Sequence, residues 1–538
     1  MHAHTQTIEG FSVIFKSNFS AHLRLKGVEQ LLGKIVTSFF SALLFISIVT
    51  LTFDVQPVKG WTETIYIRAD GSVYPDTAPI SSIDNVTYTL TDNIVGNVPR
   101  GCNAIVVERN DIIVDGAGHL LVGKGAEYSR GILINGRRNV TIKNVEIRTF
   151  WFGMVIASSR YISISGINVT NCTYGIGPSL SSNCILRNNA MFGNKYNFGL
   201  LGWGADYLSH FVHDVDTSNT VNGKPILYLV NAKNLTISPD TYPNVGYLAL
   251  VNSTNITIRN LDLKSNEDGI LLAYTKNSLI RNTRITNCTY GITLVSSYNN
   301  TLSGNRIANN EYGIWAYSSN NMIYHNNFVN NEEQVYEAQG YSNIWDNGYP
   351  SGGNYWSNYA GIDKKHGPYQ NETGSDGIGD VTFSIPTNDR YPLMAQFDTF
   401  DVGVWGGTEY FVEVVGNSTV SNFHFNPEEG AFLKFNVTGD DATRGFCRAT
   451  IPKSLLWADD GWTITVGDQT IQNYTELEDE NFTYLYFTYN HSTQTVTIQG
   501  TNVIPEFPST IILSLFTLTT LIATILLKKK RKGKPQLL

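Results

Sequence analysis

A glycine, in most cases followed by an apolar residue, recurs at Gly131, Gly153, Gly175, Gly199, Gly223, Gly246, Gly269, Gly291 and Gly313, in steps of 22, 22, 24, 24, 23, 23, 22 and 22 residues. Gly223 and Gly246 keep the register without the full motif. Eight residues after the marker stands Asn139, Asn183, Asn277, Asn299 or Asn321; thirteen after, Asn144, Gly166, Asn188, Asn282, Gly304 or Asn326; eighteen after, Asn171, Asn287, Asn309 or Asn331. Between these corners run short stretches with apolar residues at period two, such as Val140-Thr141-Ile142 and Val145-Glu146-Ile147. Each unit therefore reads as three short strands joined at Asn or Gly corners. Asn suits such corners because its short polar side chain tolerates the left-handed backbone, which accounts for 53 Asn in 538 residues. A unit of this kind cannot bury its apolar face alone. It has to stack on its neighbours, giving long parallel sheets and aligned corners whose Asn side chains bond one another. The sequence thus predicts an all-β chain built on a parallel β-helix. With one coil before the first marker (105–122) and one after the last (335–348), about eleven coils make a rod of roughly 50 Å.

The unit N-x-x-I-x-N-x-x-I-x-N-x-x-Y-G-I resembles the right-handed β-helix repeats of the NosD family and of a wider group of carbohydrate-binding proteins and sugar hydrolases. Residues 216–225 (DTSNTVNGKP) are similar to a segment of NosD-like chains. Residues 353–357 (GNYWS), 376–380 (DGIGD) and 389–393 (DRYPL) resemble the closing module of archaeal members. The resemblance covers about residues 61–395 and implies a right-handed helix with a carbohydrate-related role. The family's name suggests copper delivery, but copper favours His, Met or Cys grouped within a turn or two. Beyond the leader only His210 and His213 lie close together, beside Asp214, and the five Met are scattered.

Two apolar segments frame the body. Residues 35–53 carry no charge and follow Lys16, Arg24, Lys26 and Lys34, the pattern of a signal peptide or signal anchor, cleaved or not. Residues 511–527 are followed by Lys528, Lys529, Lys530, Arg531, Lys532 and Lys534, which predicts a membrane helix with a cytoplasmic tail and an extracellular body. Just before it, Pro505-Glu506-Phe507-Pro508 resembles the PEF-type sorting tail of archaeal surface proteins. Sequons, among them Asn85, Asn139, Asn168, Asn252, Asn417, Asn436 and Asn473, suit a glycosylated surface protein. The five Cys read as small buried residues rather than a disulfide framework. The expected organisation is a leader (1–60), the β-helix (61–350), a closing Asp/Gly/aromatic module (351–397), a small β-sandwich stalk (398–502) and the anchoring tail (503–538).

Enzymes of this architecture that cut polysaccharides need carboxylates converging on one face. The candidates are Asp262, Glu267 and Asp268, although Asp268 stands where other coils carry Tyr174, Tyr290 and Tyr312 and so also reads as a corner variant. No cofactor is required. Ca²⁺ is the metal that Asp376 and Asp380, spaced by Gly and joined by Asp363, would suit. Phe152, Tyr174, Tyr290 and Tyr312 before the marker Gly, and Tyr349, Tyr355, Trp356 and Tyr359 later, either stack on sugar rings or form a structural ladder. The net charge is −8; the leader to Lys34 and the tail hold +8 between them, so the body carries −16. That excludes nucleic acid and disfavours acidic polysaccharide. The favoured reading is a non-catalytic, membrane-anchored surface protein binding cell-envelope glycans or surface proteins. The alternatives are a polysaccharide lyase or glycoside hydrolase, and a metal-delivery accessory.

Overall fold

The computed structural model describes residues 61–200, 207–384, 388–504, 517–525 and 528. The leader with its apolar segment 35–53 and the P-E-F-P motif at 505–508 lie outside the described residues. The C-terminal helix is described over residues 517–525. Among the described residues no helix is long and apolar enough to cross a membrane. This overturns the expected membrane anchor, and with it the placement of an extracellular body and a cytoplasmic tail.

The chain is all-β, with a solenoid of about eleven turns. In its first half three parallel sheets stack inward columns a coil apart. Ile132, Met154, Ile176 and Phe198 form one; Ile142, Ile164, Leu186 and Val215 the second; Ile147, Val169, Met191 and Val221 the third. The second half repeats this, with Ile270, Ile292, Ile314 and Val335 in one column and Leu263, Ile285, Ile307, Phe328 and Trp356 in another. All are buried. Each such side chain contributes about 1.5–3 kcal/mol only when neighbouring coils cover it, which is why no coil stands alone.

The rod is not one uninterrupted stack. Two first-half sheets end at Tyr196–Phe198 and Asp214–Val215. The third passes into a hairpin, Thr220–Val221 against Lys224–Val230, which turns through Asn222 (φ 48°) and Gly223 (φ 77°) and continues as one 12-stranded sheet. Two consecutive left-handed residues make the turn that matches strand twist. The break coincides with the 24- and 23-residue steps.

The corners hold two Asn columns rather than one. Asn139, Asn183, Asn277 and Asn299 have φ between 52° and 56°. A second, inward column is buried: Asn300, Asn321 and Asn343 bond in series, as do Asn305, Asn326 and Asn354. The spacing rule placed Asn321, Asn326 and Asn331 at the corners. The last full coil is one residue shorter, pairing Thr301 with Met322, so the left-handed residues there are Asn320, His325 and Asn330.

Trp345, Phe328, Trp356 and Phe383 stack across the end of the second half. In the region expected to be a small β-sandwich stalk, two five-stranded antiparallel sheets share one hydrophobic core. They dock on the solenoid rather than standing free. Asn327 and Phe397 exchange hydrogen bonds of 2.8 Å, and the buried Arg448 donates to the Pro350 carbonyl.

Candidate functional site: an aromatic face beside a buried acid pair

Alternation along Tyr290–Val295, Tyr312–Tyr317 and Glu333–Glu337 sends Ile292, Leu294, Ile314, Ala316 and Val335 into the core. The residues between point outward, and there Thr293, Trp315 and Tyr336 form one register column. Trp315 and Tyr336 stack with ring centroids 3.9 Å apart; Tyr290 and Tyr312 lie 5.0 and 4.7 Å from Trp315. Tyr317 is 5.9 Å from Tyr336, and Tyr341 is 6.1 Å from Tyr317. The first five rings are half-buried and Tyr341 is exposed, so together they form a contiguous aromatic face outside the core. Of these residues, Tyr290 and Tyr312 were found from the repeat marker. Trp315, Tyr317 and Tyr336 were missed, although the same period-two alternation carries them.

The first-half ladder behaves as a ladder: Phe152 stacks on Tyr174 at 4.9 Å, and Tyr174 lies 5.1 Å from Tyr196. It is tied to the second half where Tyr196 Oη donates to Glu311 Oε1 (2.6 Å), with Lys195 Nζ 3.2 Å from the same oxygen. Tyr349 and Tyr359 serve the closing module, accepting from the Gly367 amide and donating to the Val381 carbonyl.

Asp268 begins an interior strand of the same sheet, one coil before Tyr290, with Glu267 just ahead of it. Asp268 accepts from Thr293 Oγ1, more weakly from the Leu200 amide (3.4 Å) and Tyr247 Oη (3.5 Å), and burial raises its pKa to about 6. Burial, then the Asp268 and Glu311 charges, push Glu267 well above the usual carboxylate range. A protonated acid beside a second carboxyl is the pairing that acid–base chemistry uses. Here, however, the two residues are only 5% and 2% exposed, and the Asp268 oxygens already have partners. Asp262 does not join them: it lies on another sheet, exposed, 3.9 Å from Arg284.

The expected Ca²⁺ group does not assemble either. Asp363 accepts from the Asp376 and Gly377 amides, Asp380 from the Lys364 and Lys365 amides, and buried Asp376 faces the Arg448 charge. Among the described residues no three His, Cys, Asp or Glu are grouped to hold a metal ion. Of the sequons, Asn85, Asn139, Asn168, Asn252, Asn417 and Asn473 are exposed and Asn436 half-buried. Asn139, Asn252 and Asn417 spend their Nδ2, the atom a glycan would occupy, on Asp111, Asn231 and the Arg444 carbonyl.

Residues 209–361 match the model of the family described as periplasmic copper-binding protein (NosD). No curated protein matches the sequence. Among solved structures, the chain is similar to the A-module of mannuronan C-5 epimerase from Azotobacter vinelandii (14% identity, 49% of this chain and 80% of that one, TM-score 0.20). It is also similar to an alginate lyase from Paenibacillus (12%, 49% and 90%, TM-score 0.20), and to a tailspike protein of an E. coli bacteriophage solved with a pentasaccharide (9%, 76% and 75%, TM-score 0.22). Likenesses of that size carry no functional weight. The matched segment does not fit copper. His213 is buried, with Nδ1 accepting from the Cys184 amide and Nε2 against the His210 carbonyl; His325 Nε2 is held at the Ser351 carbonyl. Burial pushes the Cys288 thiol up to about 12, far from the thiolate a metal takes. The chain is thus a parallel β-helix protein whose residues 209–361 carry a NosD-like repeat segment.

Proposed function

We propose that this chain is a β-helix carbohydrate-binding protein, with saccharide stacking on the face formed by Tyr290, Tyr312, Trp315, Tyr317, Tyr336 and Tyr341. The observation that carries this reading is the position of the rings. They lie on the outward side of three successive coils, where a solenoid needs only polar residues for stability. Aromatic faces with a polar edge suit the C–H faces and hydroxyls of sugars. Glu333, in register with Tyr312, borders the platform, and a neutral saccharide suits it better than a polyanion. We read the C-terminal pair of sheets as a β-sandwich that braces the rod.

The test is a glycan array on the purified protein followed by calorimetry with the best neutral oligosaccharide. Trp315→Ala should weaken binding by about tenfold or more, the effect of losing a stacking anchor. Unchanged affinity in that variant, or no neutral saccharide retained, refutes the reading. Product analysis addresses the catalytic alternative, which the buried acid pair alone favours. New reducing or unsaturated ends, abolished by Glu267→Gln, would replace binding with cleavage.

A further inference from the structure

Two register pairs of arginines line one edge of the second half. Arg259 lies above Arg281 on neighbouring strands, and Arg284 above Arg306 on the next sheet. The left-handed corners Asn260, Asn282 and Gly304 fold the chain between the two pairs. Strands Phe397–Trp405 and Thr408–Gly416 close over them, leaving an open cavity of about 390 Å³.

Four arginines and three carboxylates, Asp398, Asp401 and Glu409, line this cavity. Stacked strands are about 4.8 Å apart, so the guanidiniums of each pair repel unless an anion is shared between them. Glu409 is 3.9 Å from both Arg259 and Arg281, outside hydrogen-bond range. Asp401 is spent on the Gly403 amide, Arg284 is 3.9 Å from Asp262, and Arg306 donates to the neutral Gln396 and lies within reach of the Asp398 charge. The Nε atoms of Arg259 and Arg281 are shut off from solvent and have no hydrogen-bond partner. The side chains themselves are 30% exposed, so their terminal N–H groups reach solvent. Two such forks one coil apart, lining an open cavity with Glu409 beyond hydrogen-bond range of both, leave room for a further acceptor.

We infer that this cavity is an oxyanion site, in which the forks of Arg259 and Arg281, flanked by Arg284 and Arg306, take a carboxylate, sulfate or phosphate group. Guanidinium forks match such groups two bonds at a time. The inference does not depend on the aromatic face, which lies on a different sheet.

Titration calorimetry on the full chain at low ionic strength, with galacturonate, inorganic sulfate and inorganic phosphate, tests it. Saturable binding of at least one is expected. Tighter binding of galacturonate assigns the site to an acidic sugar, and the reverse order to a sulfate or phosphate group. The double change Arg259→Gln and Arg281→Gln should weaken binding about tenfold or more. Glu409→Gln, which removes a carboxylate competing for the same forks, should strengthen it several-fold. It leaves the arginines in place, so it decides the matter even where the double variant fails to fold. Absence of saturable binding by all three anions, or affinities unchanged in both variants, overturns the proposal.

Discussion

Replacing Asn326 by Ala tests whether the buried Asn column, rather than the corner column, holds the coils in register. Asn326 is fully buried. Its Oδ1 accepts from the Asn305 amide (3.1 Å) and from Asn305 Nδ2 (2.9 Å), while its Nδ2 donates to the Leu302 carbonyl (2.8 Å) and to Asn354 Oδ1 (3.0 Å). After the change, Asn305 Nδ2 keeps the Ile280 carbonyl and Asn354 Oδ1 keeps the residue 326 amide. The Asn305 amide loses its partner in the buried interior, whereas the Leu302 carbonyl keeps its place in the strand ladder. An orphaned buried donor costs about 1–3 kcal/mol, so the change should destabilise by about that amount, a sizeable share of a typical stability. Asn255 is the control: it is exposed, at φ 56°, and makes one side-chain bond to Asn234. Asn255→Ala should cost about 1–2 kcal/mol through the left-handed backbone, and Asn255→Gly less. Repeat arrays need not unfold in one step, so urea titration is paired with hydrogen exchange on peptides spanning 296–331. A loss below about 1 kcal/mol for Asn326→Ala, or faster exchange in Asn255→Ala than in Asn326→Ala, refutes the reasoning.

Two further predictions concern titratable groups. Asp268 is neutral in the folded chain up to about pH 6, against an ordinary value of 3.8. The folded state therefore holds a proton that the unfolded state loses, and this group's contribution to stability falls as pH rises from about 4 to 6, by about 3 kcal/mol. Asp268→Asn should remove that slope, so its melting temperature should gain on the parent protein across this window. Parallel melting curves of the two proteins would contradict the assignment. All five cysteines are free, four buried and Cys102 half-buried, and burial raises Cys172 to about 11 and Cys184 to about 12. A thiol reagent at pH 8 should label Cys102 alone in the native protein and all five in urea; rapid native labelling of Cys172, Cys184 or Cys288 would show that the coils open.

The inward columns and the left-handed corners were legible because both depend only on residues within one coil: period-two alternation and the backbone tolerance of Asn and Gly. What lay beyond was set by partners the repeat does not contain. Asn321, Asn326 and Asn331 were misplaced by one position because a single-residue shortening of the last coil is invisible to a fixed spacing. Asp376 reads as a cation ligand until Arg448, from a strand of the C-terminal sheets, comes to face it. The arginine cavity needs Arg259 and Glu409, 150 positions apart in the chain. The Asn222-Gly223 pair carried a hairpin signal that went unread because Gly223 also fell on the repeat register.

That hairpin also explains why Glu267-Asp268 stands where neighbouring coils have Thr289-Tyr290 and Glu311-Tyr312. At the break the end of the first half is laid against the second: the Phe198 carbonyl accepts from the Glu267 amide, and the Asn197 amide donates to the Ser265 carbonyl. Gly199 packs so closely that a Cβ there would lie 2.2 Å from the Glu267 Cβ. A tyrosine at 268, which elsewhere turns its ring outward, would have to fit beneath this joint. A short acid instead accepts from the Leu200 amide, Tyr247 and Thr293 and closes the seam. The departure from the Tyr-Gly pattern that marks the pair as catalytic in the sequence is thus produced by the change in sheet order. The aromatic rings of the next two coils lie on the outward side of this sheet. The acid pair is a consequence of the interruption in the repeat, and of the two only the aromatic face is open to a ligand.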